Sequence, residues 1–310
     1  MRLIPLYFKF LSFVSLFFIT SITQANPVVC FNTNVGPFCL ELFETRTPIT
    51  TTNFLNYITT DAYNNGIIHR SVPGFIIQGG GFKIVDAVNG KTIAPVNTFA
   101  PIINEFKISN TRGTVAMAKL PENPNSATSQ WFVNLADNNQ GERNLDTQNS
   151  GFTVFGRIIF DGMNIIDAIG KLPVTNLGGN FTEIPTIDFN GSTVLVSNLV
   201  QINQVEVINT TGVFSEGVLS FAVDIGTNEA FEVNLRLIQD NPNLVFELDP
   251  TSITSLPTKP INIATFSSSN GTLHIPSVTI SSTNTVSNVQ MQLTNTQLNQ
   301  FTLLNFDPGN

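Results

Sequence analysis

The stretch "HRSVPGFIIQGGGF", residues 69–82, places a histidine and an arginine before a Pro-Gly turn, and continues with an apolar run, a glutamine and three glycines. Strand-forming residues lie on both sides of this turn, around 67–70 and 75–78. Arg70 and Gln78 are polar residues within an apolar strand region, and neither a carboxylate nor a cysteine accompanies them. Because such side chains are uncommon in apolar strands, they mark a candidate functional site.

The composition describes a globular and acidic chain. Of the 310 residues, 42% are hydrophobic and 12% are charged, which allows two hydrophobic cores and argues against disorder. The net charge is -8, whereas proteins that bind nucleic acids or anionic membrane surfaces need basic patches. The charge therefore argues against nucleic acid as a partner, and solubility is the simplest reason for the acidity.

The first 25 residues are predicted to be a signal peptide. Arg2 and Lys9 precede the apolar run "FLSFVSLFFIT" (residues 10–20), which is too short to span a bilayer. Thr23 and Ala25 are the small residues that a signal peptidase requires before its cleavage site. Because no second long apolar run follows, we expect a periplasmic or secreted protein that is not inserted in a membrane after cleavage.

Two cysteines, Cys30 and Cys39, flank a segment whose Asn and Gly favour a hairpin turn. Strand alternation places Phe31 and Phe38 opposite each other on the buried face, and it places the two cysteines opposite each other on the other face. An exported protein reaches an oxidising compartment, where this pair would close to a disulfide. The alternative is two unrelated thiols.

The order of the predicted elements suggests a closed antiparallel barrel. Residues 47–63 are predicted to form a helix with Thr47 as its cap and Pro48 in its first turn, and residues 162–172 a second helix. Besides the two strands that flank the Pro-Gly turn, strands are predicted around 114–118, 130–135 and 153–159. Many short strands with two helices are typical of a barrel whose ends are covered by the helices.

Four blocks of the sequence resemble successive signatures of cyclophilin-type peptidyl-prolyl cis-trans isomerases. They are "IIHRSVPGFIIQGGGF" (67–82), "NEFKISNTRGTVAMAK" (104–119), "NSATSQWFVNLADN" (125–138) and "NLDTQNSGFTVFGRIIFDGMNIIDAI" (144–169). The chain is similar to bacterial exported members of that family from about Val28 to about Ile208. The resemblance implies a mainly β fold for residues 26–208, an eight-stranded antiparallel barrel capped by two helices. It also implies isomerisation of Xaa-Pro peptide bonds in proline-containing polypeptides, without a cofactor.

Rotation about an Xaa-Pro bond requires electrostatic help rather than acid–base exchange. The conjugated C–N bond resists rotation with a barrier of roughly 18–20 kcal/mol, so a catalyst must favour the twisted amide. Twisting localises the lone pair on the prolyl nitrogen, and a fixed cationic donor beside that atom stabilises the transition state. Arg70 would be this donor, held by Gln78, because a guanidinium stays charged and its planar fork is readily oriented.

The family motifs also identify residues that would hold the substrate. In chain order these are Phe75, Ile76, Ala118, Gln130, Phe132 and Leu145. Phe75, Phe132 and Leu145 would line an apolar pocket for the proline ring, although each could equally be a core residue of a strand. Lys119 stands where many relatives have an asparagine that binds the substrate backbone, so we expect a different peptide preference.

His69, beside Arg70, invites a catalytic interpretation. Strand alternation turns its side chain to the opposite face, so we expect a core or hydrogen-bonded histidine instead. The chain has one other histidine, His274, and no metal-ligating cluster is recognisable, so no metal site is predicted. Glycines 79–81 lack the lysine or the spacing of a phosphate-binding loop, and we expect them to allow a close backbone turn.

Residues 218–310 are predicted to form a second, β-rich unit. The composition shifts to Thr, Ser and Asn, and six short segments alternate with period two, which suggests a β-sandwich-like domain. Residues 209–217, "NTTGVFSEG", are polar and contain glycine, as expected of an exposed linker that proteases cut first. Since the second unit has no catalytic constellation, we expect a structural or adhesive module.

Two functions from different classes are open. The first is an exported prolyl isomerase that assists the folding of exported proteins, acting as a monomer. The alternative is a non-catalytic module that binds proline-containing peptides or mediates surface adhesion through the same barrel. The joint presence of Arg70, Gln78 and the apolar pocket residues favours the enzyme, because a pure binding module has no need for the arginine.

Overall fold

The computed structural model describes residues 27–88, 90–191, 193–208, 210–226, 229–256 and 263–309. The predicted signal peptide, residues 1–25, lies outside these ranges. Within them the chain is mainly β, with two α-helices, α1 (Pro48–Thr59) and α2 (Gly162–Gly170), close to their predicted positions. None of the described helices is both long enough and apolar enough to cross a bilayer.

The N-terminal strands are β1 (Val28–Thr33), β2 (Pro37–Leu42), β3 (Gly66–Ile67), β4 (Arg70–Val72), β5 (Ile76–Gly79), β6 (Phe82–Ala87), β7 (Gly90–Pro95), β8 (Thr114–Met117), β9 (Trp131–Asn134), β10 (Val154–Ile159), β11 (Val174–Thr175), β12 (Ile184–Pro185) and β13 (Gln201–Ile208). Eleven of them form one sheet in the order β4-β5-β9-β8-β10-β2-β1-β13-β3-β6-β7, and β11 pairs with β12.

This sheet closes into a barrel because β3 and β4 are two parts of one strand position. Only Ile68 and His69 separate them, and the N–H groups of these residues donate to Val200 O and Gln78 O. With β3 and β4 counted as one strand, eight strands follow one another around a ring, and each neighbouring pair is antiparallel. The expected eight-stranded antiparallel barrel is confirmed, and the β6–β7 hairpin extends from it beside β3.

Strand alternation decides which side chains fill the barrel. Ile77 of β5 and Trp131 and Val133 of β9 are fully buried in the main core, where Phe31 stacks on Phe38 with ring centroids 4.8 Å apart. Their neighbours along the same strands therefore face outward. At the start of α1, the Thr47 hydroxyl donates to Phe43 O at 3.1 Å and makes no cap bond to the helix.

The Cys30–Cys39 disulfide is present, in the register that the sequence predicts. Cys30 pairs with Cys39 across β1 and β2, and their Cα atoms lie 4.1 Å apart. The two cysteines point away from the barrel core, yet they are buried, because Val213 packs against them together with Val28 and Ile159. The disulfide therefore lies under a contact between the N-terminal barrel and the C-terminal sheet.

The C-terminal strands are β14 (Gly212–Ser215), β15 (Val218–Asp224), β16 (Ala230–Gln239), β17 (Val245–Leu248), β18 (Thr254–Ser255), β19 (Ala264–Ser267), β20 (Thr272–Ser281), β21 (Asn284–Asn295) and β22 (Gln300–Asp307). All nine belong to one sheet. β14 and β19 each pair with β15 and β20, so together they fill the gap between those strands and close the sheet. The β-rich expectation is confirmed. The strands form one closed sheet, which we call the C-terminal barrel, rather than the two facing sheets of the expected sandwich.

The predicted linker, residues 209–217, is different in the structure. Residue 209 lies outside the described residues, and β14 occupies 212–215 as a paired strand. Thr210, Thr211 and Ser215 are buried and hydrogen-bonded. The Thr210 hydroxyl donates to Gly212 O at 2.7 Å, the Thr211 N–H donates to Ser277 Oγ at 2.9 Å, and the Ser215 Oγ accepts from Phe160 N–H at 2.9 Å. Polar composition here reflects a hydrogen-bonded contact, and the described part of the segment is not an exposed linker.

Candidate active site

Antiparallel pairing aligns four side chains on the outer wall of the N-terminal barrel. Arg70 of β4 pairs with Gln78 of β5, Gln78 pairs with Phe132 of β9, and Phe132 pairs with Ala116 of β8. Residues at paired positions lie side by side on one face of a sheet. A charge, an amide, an aromatic ring and a small residue therefore form one line, which we call the Arg70 row.

The guanidinium of Arg70 is held from two sides. Its Nε donates to Glu183 Oε2 at 2.8 Å, and its Nη1 donates to Gln78 Oε1 at 3.4 Å. Gln78 is held in turn, because its Nε2 donates to Gln130 Oε1 at 2.8 Å. The predicted contact between Arg70 and Gln78 is thus present, and the shorter contact is the ion pair with Glu183.

Glu183 is the residue that reasoning from the sequence missed. It lies 113 positions after Arg70, immediately before β12, and the Ser71 N–H donates to the Glu183 carbonyl oxygen at 2.7 Å. This backbone bond fixes the segment before β12 against β4 and brings the carboxylate to the guanidinium. No local pattern marks a partner so distant along the chain.

An apolar cluster lies beside the Arg70 row. Its buried members are Ile76, Ala116, Phe132, Leu145 and Val154, and its partly buried neighbours are Phe43, Phe75, Ile108, Ala118 and Phe152. All the apolar residues predicted to hold the substrate are in this cluster, and we name it the proline pocket after that prediction. Ala116 is an addition, because strand register places it, rather than Ala118, directly opposite Phe132.

The rim of the proline pocket carries two cations. The Arg143 guanidinium lies 4.8 Å from the centroid of the Phe75 ring, and the Lys119 ammonium lies 4.6 Å from that of Phe152. Phe152 meets Phe132 edge-on, with centroids 5.8 Å apart. Burial lowers the pKa of Lys119 to about 8, so its charge is lost just above neutral pH.

Lys119 also determines the shape of that rim. Its Nζ donates to Asn149 O at 2.8 Å and to Gly151 O at 2.6 Å. The loop after the "NLD" segment is therefore tied to the end of β8. This lysine makes contacts within the chain rather than extending into solvent.

His69 is buried and packs away from the Arg70 row, as expected from alternation. Its ring meets Phe82 edge-on at a centroid distance of 5.1 Å. Burial, assisted by the charge of Arg70, lowers the pKa of His69 to about 4, although a contact with Gln130 acts in the opposite direction. The imidazole is therefore neutral at physiological pH. In the described ranges, no three His, Cys, Asp or Glu side chains lie close enough together to hold a metal ion.

Comparisons with known proteins agree with this geometry. The family described as "Cyclophilin type peptidyl-prolyl cis-trans isomerase/CLD" matches residues 28–190. A "Peptidyl-prolyl cis-trans isomerase" of Acinetobacter baylyi is 44% identical over 156 residues, which cover 50% of this chain and 77% of the relative. The "Peptidyl-prolyl cis-trans isomerase B" of Escherichia coli is 39% identical over 176 residues, 55% of this chain and 99% of the relative.

Among solved structures, a cyclophilin type peptidyl-prolyl cis-trans isomerase of Cryptosporidium parvum is similar, with a TM-score of 0.42 and 22% identity, covering 59% of this chain and 98% of that chain. The family match ends at residue 190, before β13 and the whole C-terminal barrel.

Proposed function

The chain belongs to the cyclophilin-type peptidyl-prolyl cis-trans isomerase family, and we propose that the Arg70 row and the proline pocket are the site at which it isomerises Xaa-Pro bonds of exported polypeptides. Its activity is that of the family, an enzyme that catalyses cis-trans isomerisation. The main observation in support of this site is that an oriented guanidinium, that of Arg70, lies in the same row of paired strand residues as Phe132.

Arg70 acts on the prolyl nitrogen. When the Xaa-Pro amide twists, the lone pair of that nitrogen is no longer delocalised, and a guanidinium N–H can donate to it. In the planar cis and trans amides the lone pair is conjugated, so the same contact is weaker there, and the difference lowers the barrier. Because Glu183 and Gln78 already orient the guanidinium, little reorganisation is needed when the amide twists.

The proline pocket and the two glutamines hold the substrate on either side of the rotating bond. Phe132 and Leu145, both buried, form the floor that receives the pyrrolidine ring, and Phe75, half-buried, borders it. Gln78 and Gln130, linked to each other at 2.8 Å, offer amide groups to the backbone of the peptide. One end of the bond is then fixed while the other end rotates.

No proton transfer is required. Rotation neither makes nor breaks a covalent bond to the enzyme, and His69, the nearest imidazole, is neutral and turned away. The guanidinium acts as a fixed hydrogen-bond donor and does not exchange a proton with the substrate. The rate on peptides without charged residues should therefore be independent of pH between about 5.5 and 7.5.

The proposal that the protein is exported rests on two features. The Cys30–Cys39 disulfide persists in oxidising compartments and is uncommon in the cytosol, and the sequence of residues 1–25 predicts a signal peptide. We assign the isomerase to residues 26–208 and an accessory role to 218–310, since every proposed site residue lies between Arg70 and Glu183. The clients would be proline-containing polypeptides that fold outside the cytoplasm, and the enzyme would act as a monomer.

The isomerase proposal is tested with the purified chain from residue 26, in a protease-coupled assay on short Xaa-Pro peptides. A rate above the uncatalysed one that saturates with substrate is expected. Binding of the peptide without acceleration would identify the chain as a binding module. Export is tested separately, by sequencing the N-terminus of the chain recovered from a periplasmic extract; a first residue of Asn26 is expected, and an uncleaved cytoplasmic chain would contradict export.

A further inference from the structure

The interior of the C-terminal barrel is apolar but not filled. Alternate residues of each strand face inward, as Leu219, Phe221 and Val223 do on β15. Between the inward side chains lie two cavities of about 330 Å³ each. Protein interiors are close-packed, with few voids larger than a water molecule. Empty space of this extent in a sheet of nine strands points to an occupant.

The two cavities are separate and lie toward opposite ends of the barrel. The first, the Met291 cavity, is lined by residues that include Leu219, Val278, Val289 and Met291. The second, the Phe266 cavity, is lined by residues that include Val223, Val233, Phe266 and Leu273. On β20 the two linings lie five residues apart, at Leu273 and Val278, whereas on β15 they are successive inward-facing residues, Phe221 and Leu219. The cavities therefore lie end to end along the barrel, and they share no lining residue.

The lining of both cavities is hydrocarbon. In the described part of the chain, every residue that lines the Met291 cavity is apolar, and Asn299 is the one polar residue at the Phe266 cavity. A buried water molecule needs two to four polar partners, which these walls do not provide. An apolar cavity of about 150 Å³ stays dry and binds benzene, so each of these could receive a longer hydrocarbon.

Each cavity reaches the protein surface through apolar side chains. Ile280 and Phe306 line the Met291 cavity and are 37% and 42% exposed, and Ile225 and Ile253 line the Phe266 cavity and are 39% and 46% exposed. A residue that both lines a cavity and meets solvent marks its mouth. Among the described residues, those that line the two cavities include no charged side chain, so an ionic group of a ligand would remain outside in water.

We propose that each of the two cavities binds one aliphatic chain, of the kind carried by a fatty acid or an acyl lipid, with its polar head group at the mouth. The volume, the hydrocarbon walls and the exposed apolar mouths all favour a flexible linear chain over a polar or charged ligand. These sites are independent of the Arg70 row, because their lining residues all belong to the C-terminal barrel.

The test uses the full chain from residue 26 and dansyl-labelled undecanoic acid, whose emission rises in an apolar site. Saturation at two probes per chain is expected. Val289→Phe fills part of the Met291 cavity and Val233→Phe fills part of the Phe266 cavity, so each variant should bind one probe and the double variant none. Val88→Phe introduces the same side chain at a fully exposed position of the N-terminal barrel and should still bind two.

An unchanged β-type circular dichroism spectrum and an unchanged or raised thermal midpoint show that the variants are folded, because isomerase activity reports on the N-terminal barrel alone. Should either phenylalanine variant fail to fold, Val289→Thr and Val233→Thr, which keep the shape and add a hydroxyl, should each weaken one of the two sites several-fold. Absence of saturable binding below the micelle-forming concentration, or two probes bound to a folded double variant, would overturn the proposal. If the protein cosediments with phosphatidylcholine vesicles and the free probe abolishes this cosedimentation, the bound aliphatic chain comes from an acyl lipid. If the probe binds and the protein does not cosediment, the ligand is a free fatty acid.

Discussion

Replacing Arg70 by alanine removes the cationic donor and leaves the wall of the barrel in place. The Arg70 and Glu183 side chains are 37% and 40% exposed, so losing their ion pair should cost at most about 1 kcal/mol of unfolding free energy. Removing one preorganised donor from a site of electrostatic catalysis costs about 10²–10³ in rate, or about 2.7–4 kcal/mol. The catalytic loss exceeds the stability loss several-fold, so a folded and nearly inactive variant is expected.

Arg70→Lys separates charge from geometry. A lysine keeps the positive charge, but its ammonium is a point donor on a flexible stem and cannot contact Glu183 and Gln78 with a planar fork. We therefore expect it to lose most of the activity as well. Arg112→Lys is the matched control, because Arg112 pairs with Asp167 at a similarly exposed ion pair, 2.8 Å long, away from the Arg70 row.

The assay is kcat/KM on a short Xaa-Pro peptide, measured by protease coupling and repeated by NMR exchange, which needs no protease. Circular dichroism and the thermal midpoint establish that each variant is folded. A folded Arg70→Ala protein that retains kcat/KM within about threefold of the parent would refute the role of the guanidinium in the twisted state.

Four further outcomes are expected. Glu183→Ala should lower kcat by roughly tenfold or more through misalignment of Arg70, with KM little changed and with partial rescue in Glu183→Gln; equal activity of all three proteins would remove Glu183 from the site. For peptides with an acidic residue beside the proline, kcat/KM should fall as the pH rises through about 8, where Lys119 loses its charge, and Lys119→Arg should stay flat; a parent profile without this inflection would contradict the role of Lys119 at the rim. Thiol titration of the denatured, exported chain should find no free thiol, and Cys30→Ser/Cys39→Ser should lose about 3 kcal/mol of stability for a closed loop with a sequence separation of 9, without losing activity; two reactive thiols would refute the bridge in the mature protein. Burial disfavours the protonated form of His69 in the folded protein, where its pKa is about 4, against 6.5 in the unfolded chain. The neutral imidazole therefore adds about 3 kcal/mol to the free energy of unfolding above pH 6.5, and this stability is lost as the pH falls from 6.5 to about 4. Urea unfolding at pH 7 and pH 4.5 measures this loss, which His69→Phe should reduce, and an equal loss in both proteins would contradict it.

Local patterns in the sequence were enough to predict most strands of the N-terminal barrel. Alternation and the turn that contains Asn34 and Gly36 define the pairing of Cys30 with Cys39, and the Pro-Gly turn defines the two strands that carry Arg70 and Gln78. Both signals act over a few residues. The strands of the barrel could be placed for the same reason, since apolar residues at every second position admit one register only.

The elements that could not be predicted depend on partners far along the chain. Glu183 reaches Arg70 because β12 and a backbone bond to Ser71 hold its segment, and none of these contacts is visible in the residues near Glu183. Likewise, β14 looks like a polar linker, and its Gly212 and Val213 become strand residues by pairing with Val278 and Thr279 of β20. Non-local pairing of this kind outweighs local composition.

The position of Val213 has a consequence for how the enzyme could be held in place. In the ring of eight strands, the Arg70 row crosses β4, β5, β9 and β8. β2 and β1 stand four positions from its middle strands, β5 and β9, on the opposite wall, where Val213 covers the disulfide. A partner bound to the C-terminal barrel would thus hold the isomerase largely through the wall opposite the Arg70 row. Tethering raises the effective concentration of a catalyst near one surface without altering its turnover. Attachment through the C-terminal barrel would in that way concentrate the isomerase at one surface, with the Arg70 row on the far wall of the N-terminal barrel.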